Sequence, residues 1–140
     1  MKQIIVLAFS LVFTVSLFCD GKYKEDDFIG SWYFIDGMER VDLKQWVTIE
    51  KMKNGLQVRY NDGKGLYTGL LTLTPDGRNL KGMLTGLGGV VIGKIQSKSL
   101  FKNNGIGLDL SGGADDILLG YFQKKEVLEK LIGEKLPAIK

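Results

Sequence analysis

From Trp32 to about Phe122 the chain alternates short apolar runs with turn signals every eight to twelve residues. Leu56, Val58 and Tyr60 alternate with Gln57, Arg59 and Asn61, the period of a half-buried strand. Val47 and Ile49 against Thr48 and Glu50 repeat the pattern, and Asn54-Gly55 between the two runs is a two-residue hairpin signal. Asp62-Gly63, Pro75-Asp76-Gly77, Asn104-Gly105 and Gly112-Gly113 punctuate the later runs. Residues 66–74 and 78–85 pair across Pro75-Asp76-Gly77, and 87–95, 97–102, 106–110 and 116–123 supply the remaining strands. The connections leave no room for crossover helices, so neighbours in sequence pair antiparallel. The pattern predicts an all-β, up-and-down meander of eight or nine strands that closes into a small barrel and hides its edges.

Two segments break this rhythm. Over residues 125–136, Val127, Leu128, Leu131 and Ile132 fall on one side, with Glu126, Glu129 and Lys130 elsewhere. That is an amphipathic helix stopping near Gly133 and Pro137, with its apolar stripe on the barrel's outer wall or over one mouth. At the other end, Lys2 precedes an unbroken run of apolar and small hydroxyl residues from 4 to 18, and Cys19-Asp20-Gly21-Lys22 turns abruptly polar. A helix of that run is about 22 Å long at ~1.5 Å per residue, short of a ~30 Å hydrocarbon core. The segment reads as an export signal and not as a permanent span. The expected organisation is a signal peptide at 1–18, a tether at 19–27, the barrel at 28–124, and a helix and tail at 125–140.

Composition narrows the chemistry. About 120 residues after the signal make one domain, large enough to hold a core without disulfides. Glycine, 19 of 140 residues, stands at about twice its usual ~7%; with two prolines and no low-complexity tract, this suits turns and bends. A net charge of +3 is far from that of a nucleic-acid binder. There is no histidine and a single cysteine, which removes the ordinary zinc sites and the Ser-His and Cys-His nucleophiles. The expectation is a non-catalytic protein with no metal and no cofactor.

Apparent motifs dissolve on inspection. Gly88-Gly89-Val90-Val91-Ile92-Gly93-Lys94 has the spacing of a phosphate-binding loop, but Ile95 follows where a hydroxyl must hold magnesium. Its glycines suit a bend at a barrel corner. Asp26-Asp27 and Asp115-Asp116 are adjacent pairs that face opposite ways on a strand; Asp27 suits the opening of a helical turn before Gly30, and Asp115 a turn after Gly112-Gly113. Asn61-Asp62-Gly63 lacks the ligand series of a calcium loop. Lys94, Gln96, Lys98, Leu100 and Lys102 share one parity and make a ribbon basic on its outward face, read as a solvated, edge-guarding strand over contact with anionic lipid headgroups or polysaccharide. Ser97 and Ser99 face away from Lys98, so no Ser-Lys pair forms.

Two resemblances add to this reading. Val15-Ser16-Leu17-Phe18-Cys19 resembles the lipobox of bacterial lipoproteins, with Phe18 where that family prefers a small residue, as in the relaxed lipoboxes of spirochaetes. It implies acylation at Cys19 and a lipid anchor in the inner or outer membrane of the cell envelope; a freely secreted product is the alternative. Asp27-Phe28-Ile29-Gly30-Ser31-Trp32-Tyr33 resembles the opening of the lipocalin and fatty-acid-binding superfamily. There Gly-x-Trp closes the barrel floor, which implies that role for Gly30 and Trp32, with Lys124 or Lys125 as the basic residue packed over the tryptophan. Tyr33, Trp46, Tyr60, Tyr67 and Tyr121 are the candidates for gripping a small apolar or sugar ligand, by area and polar handle. A barrel of eight strands is just wide enough to fill with side chains or to hold one small ligand. Two functions therefore stand: a lipid-anchored binding protein with a small hydrophobic ligand, or a surface protein with a filled barrel and a macromolecular partner.

Overall fold

The computed structural model describes residues 22–140 except 101, 102, 114 and 116, and leaves the side chains of 96–100 and 103–106 undescribed. The signal segment, Cys19, Lys102 and Asp116 lie outside the described residues, as do the side chains of Gln96, Ser97, Lys98 and Ser99. A four-residue helix α1 (Glu25–Phe28) leads into β1 (Gly30–Ile35), β2 (Val41–Met52), β3 (Gly55–Asp62) and β4 (Leu66–Leu73). Then come β5 (Asn79–Gly82), β6 (Val91–Leu100), β7 (Asn103–Gly112), β8 (Ile117–Lys124) and helix α2 (Lys125–Ile132). Each strand pairs antiparallel with the next, and β8 returns to β1 to close the barrel.

Alternation sets the two sides of the wall. In β3, Leu56, Val58 and Tyr60 are buried while Gln57, Arg59 and Asn61 are partly exposed. The inward positions of all eight strands meet in one cluster that includes Trp32, Val47, Leu71, Leu80, Leu108 and Phe122. Every full burial of such a side chain contributes about 1.5–3 kcal/mol.

The strand count is eight because residues 87–95 and 97–102, expected as two strands, form one. Gln96 carries no turn chemistry and simply pairs with Gly107 in the β6–β7 ladder. That strand begins at Val91 and not at 87, because Gly86 and Gly89 take φ of 93° and 87° in the connection before it. The same connection trims the expected strand at 78–85 to Asn79–Gly82. Asn104 and Gly105, expected in a turn, pair with Ser99 and Lys98 inside the ladder. The β2–β3 connection is Lys53-Asn54, one residue earlier than expected, because Gly55 already pairs with Met52. Gly55 has φ 146°, and a Cβ there would stand 2.8 Å from the Leu71 carbonyl oxygen.

Helix α2 ends at Gly133, in the left-handed conformation with its N–H donating to the Glu129 carbonyl at 2.9 Å, short of the expected 136. The helix lies on the outer wall. Its buried Leu128 joins Tyr33, Ile35 and Tyr121 in a second cluster, against which Leu136 and Ile139 of the tail also pack. Glu129 holds the tail in place: its Oε2 accepts from Lys125 Nζ at 2.9 Å and from the Leu136 amide at 2.7 Å. Among the described residues no helix is long and apolar enough to cross a membrane.

Candidate functional site

Three regions carry the residues singled out above. The first is the floor. Gly30 has φ 138°, a conformation that side chains rarely adopt, and so turns the chain from α1 into β1. Trp32 then points inward, fully buried, and its Nε1 donates to the Phe28 carbonyl at 3.0 Å. The Lys124 ammonium stands 5.3 Å from the centre of the Trp32 ring, placed there because β1 and β8 pair Trp32 with Lys124. Lys125 is turned to Glu129 instead. Asp27 is the third residue of α1 and not its opener; its carboxylate accepts from the Lys24 amide at 2.7 Å. Lys51 pairs with Glu25 beside it.

The five aromatic candidates do not form one site. Tyr60 belongs to the interior cluster and Tyr67 packs against it. Tyr60 stacks on Tyr67 at 5.7 Å and meets Phe122 edge-on at 6.0 Å, and Phe122 meets Phe34 at 5.8 Å. Burial pushes the Tyr60 hydroxyl up to about 12. Tyr67 donates to Asp62 Oδ2 at 3.2 Å, and the Asp62 charge raises its hydroxyl as well. Asp62 itself is held low by the amides of Lys64 and Gly65, 2.8 Å from its Oδ1.

Tyr33, Trp46 and Tyr121 face out. Their neighbours Trp32, Val47 and Phe122 face in, and on a strand adjacent side chains take opposite faces. Tyr33 and Tyr121 are buried all the same, under α2 and the tail. The Tyr33 hydroxyl donates to the Pro137 carbonyl at 2.5 Å, and burial raises it. Burial takes Tyr121 up to about 12. The Arg59 guanidinium lies 5.2 Å over the Trp46 ring and donates to the Lys140 carbonyl at 2.9 Å. The tail thus straps three strands. Gln123, fully buried on the same face, makes no side-chain hydrogen bond, nor does the Thr48 hydroxyl.

The third region was missed by sequence reasoning. At the end of the barrel opposite Trp32, β1 and β8 part around a cleft of about 420 Å³ lined by Ile35, Asp36, Glu39, Leu118, Leu119 and Tyr121 among others. The run Ile117-Leu118-Leu119 was legible only as strand. Nothing local says that it rises above the core. Among the described residues no three His, Cys, Asp or Glu side chains converge as a metal requires.

No family model matches the chain, and neither a curated protein nor a solved structure matches it.

Proposed function

We propose that this is a non-catalytic, lipid-anchored protein of the cell envelope, whose lipocalin-like barrel is filled and which acts through its outer surface on a macromolecular partner. The observation that carries this reading is the interior itself. Trp32, Val47, Leu56, Val58, Leu71 and Leu108 are fully buried in one cluster with Tyr60 and Phe122. A small ligand would have to displace side chains that already fill a barrel of this size. The Gly30, Trp32 and Lys124 arrangement supports the kinship to the lipocalin superfamily, because a ring covered from below by a lysine is what the resemblance implies. The Cys19 anchor rests on the lipobox.

Native mass spectrometry of the chain taken from its membrane in mild detergent tests the filled barrel. The expected spectrum shows the acylated chain, alone or with a polypeptide. A stoichiometric apolar small molecule would return the protein to the small-ligand reading. Cys19→Ser tests the anchor: labelled palmitate enters the wild type and not the variant, and equal labelling of both ends that claim.

A further inference from the structure

We propose that the outer-wall groove of Tyr121, Tyr33, Trp46 and Arg59 is a peptide-binding site which residues 136–140 of the same chain occupy as an internal stand-in. The partner presents an extended segment of the tail's own chemistry, a proline set between two apolar residues. The inference deepens the partner reading above and rests on it. The groove crosses the strands and does not follow one. Tyr121 of β8, Tyr33 of β1, Trp46 of β2 and Arg59 of β3 come from four successive strands of the closed sheet, and Tyr33 and Trp46 are cross-strand partners.

The tail lies on these residues as a ligand does. Residues 135–140 form no helix, strand or turn, and side chains of the wall and of α2 receive their backbone. Glu129 Oε2 accepts from the Leu136 amide, the Tyr33 hydroxyl donates to the Pro137 carbonyl, and Arg59 donates to the Lys140 carbonyl. Leu136 and Ile139 pack against the cluster of Tyr33, Ile35, Tyr121 and Leu128, while Pro137 and Ala138 are exposed. Apolar contacts three residues apart fall on one face of a polyproline II segment, and aromatic-lined grooves are a recurring dock for such segments.

Proline suits its place for a physical reason. The groove uses the amide of the residue before it and the carbonyl of the proline itself, and needs no N–H at that position. The ring fixes φ at about −65° and biases the preceding residue to extended backbone. A guest built this way loses less freedom on binding.

Two features make the tail replaceable. Its cover is incomplete. Gln123, cross-strand from Tyr33, is fully buried with neither polar atom of its side chain bonded, and the buried hydroxyl of Thr48, cross-strand from Arg59, is also unbonded. Buried polar groups are normally paired, so a guest that reaches these two gains what the tail does not supply. The helix, moreover, ends without help from the tail. The Gly133 amide closes on the Glu129 carbonyl, and a Cβ at Gly133 would meet nothing within 4 Å. Gly133, Glu134 and Lys135 are exposed, so the tail can swing out while Leu128 keeps α2 on the wall. Segments with few buried contacts are the ones that open locally.

The test uses the full acylated chain in lipid nanodiscs and a labelled, end-blocked peptide with the sequence of residues 134–140. The tethered tail competes at an effective concentration of about a millimolar, so the wild type binds the peptide weakly. Leu136→Asp, which drives the chain's own tail off the groove, tightens binding about tenfold, and Ile139→Asp does the same by an independent contact. Adding Trp46→Ala or Arg59→Ala to Leu136→Asp weakens binding about tenfold. A peptide with aspartate at both apolar positions does not bind. Thermal melts verify that each variant is folded. Several outcomes overturn the proposal: no gain from either tail variant, no saturation by millimolar peptide, indifference to both groove variants, or wild-type dimers that grow with concentration and dissolve on adding peptide. The last means that the groove takes the tail of a second copy. A photo-crosslinking residue placed in cells at position 61, cross-strand from Trp46, or at 118, in the mouth, separates the two claims. A protein adduct from 61 that grows with Leu136→Asp supports the groove. Adducts from 118 alone remove the groove and leave the partner reading. No protein adduct from either removes the partner reading itself.

Discussion

At the floor, the Trp32 ring is fully buried, its nitrogen bonded to Phe28 and its face covered by Lys124. At the mouth, two neighbouring apolar residues of one strand, Ile117 and Leu118, stand mostly in solvent. Both ends belong to the same eight strands and are joined by the same β1–β8 ladder. The floor turns its aromatic and basic side chains onto one another and leaves little apolar surface in solvent. The mouth leaves apolar surface and a strand edge unused, a cost that natural sheets usually avoid at their edges. What the barrel packs away and what it leaves exposed are here at opposite ends.

The largest test of that contrast is Trp32→Ala. Truncating a buried aromatic of this kind costs about 3–5 kcal/mol, read as a fall in the urea midpoint. Trp46→Ala should cost clearly less, since Trp46 is half-buried on the outer wall. Equal midpoints for Trp32→Ala and the wild type would mean that the floor does not carry the fold.

Glycines give a second pair. At Gly69 an added Cβ would stand 2.0 Å from the Met83 carbonyl oxygen, a backbone clash, so Gly69→Ala should cost about 1–3 kcal/mol by overpacking. At Gly88, in the mouth connection, an added Cβ has nothing within 4 Å, and Gly88→Ala should change stability by no more than about 0.5 kcal/mol. Thermal melts of both variants check the difference. A costly Gly88→Ala would mean that the mouth is packed as tightly as the wall.

Removing residues 134–140 probes the strap on the outer wall. It deletes the Tyr33–Pro137 and Arg59–Lys140 hydrogen bonds, each with a net worth of about 0.5–1.5 kcal/mol, and uncovers Trp46. A lower melting temperature and a red-shifted Trp emission are expected; an unchanged melt would make the tail ornamental.

Alkali reaches the interior and the outer wall together. Tyr60 and Tyr121 are raised from 10.0 to about 12 by burial. Their neutral forms are favoured by the folded state, so their contribution is complete below pH 10. It declines as the unfolded chain ionises first, and is gone above about pH 12. Spectrophotometric titration should show Tyr60 and Tyr121 ionising last of the five tyrosines, with Tyr33 and Tyr67 also raised. Uniform titration near pH 10 would place both rings in water.

The smallest expected effect belongs to the mouth. Leu118→Asp alters an exposed side chain and should shift stability by no more than about 0.5 kcal/mol, read in a thermal melt. A large loss of stability would show that the apolar rim serves the fold after all.

Local sequence carried the strands well. Alternation in Leu56-Gln57-Val58-Arg59-Tyr60, the turn at Pro75-Asp76-Gly77 and the stop at Gly133 all depend on residues within a few positions of one another. The choice between Lys124 and Lys125 was not local: it took the β1–β8 register to set Lys124 beside Trp32. The aromatic candidates fared worse. The parity that puts Trp32 inside already puts Tyr33 outside, and the same holds for Val47 with Trp46 and for Phe122 with Tyr121. That signal was present in the pattern, but which parity faces the core is decided by the whole sheet.

By itself, then, the sequence determined an antiparallel meander, a closing helix and a chemistry poor in catalytic groups, because period, turn residues and composition are local properties. Tertiary structure alone decided that residues 91–100 are one strand, that Tyr33, Trp46 and Tyr121 lie beneath the helix and tail, and that β1 and β8 part above Phe34. The first depends on the β6–β7 ladder and the last on register between segments about ninety residues apart, where the sum of many pairings outweighs any single residue's preference.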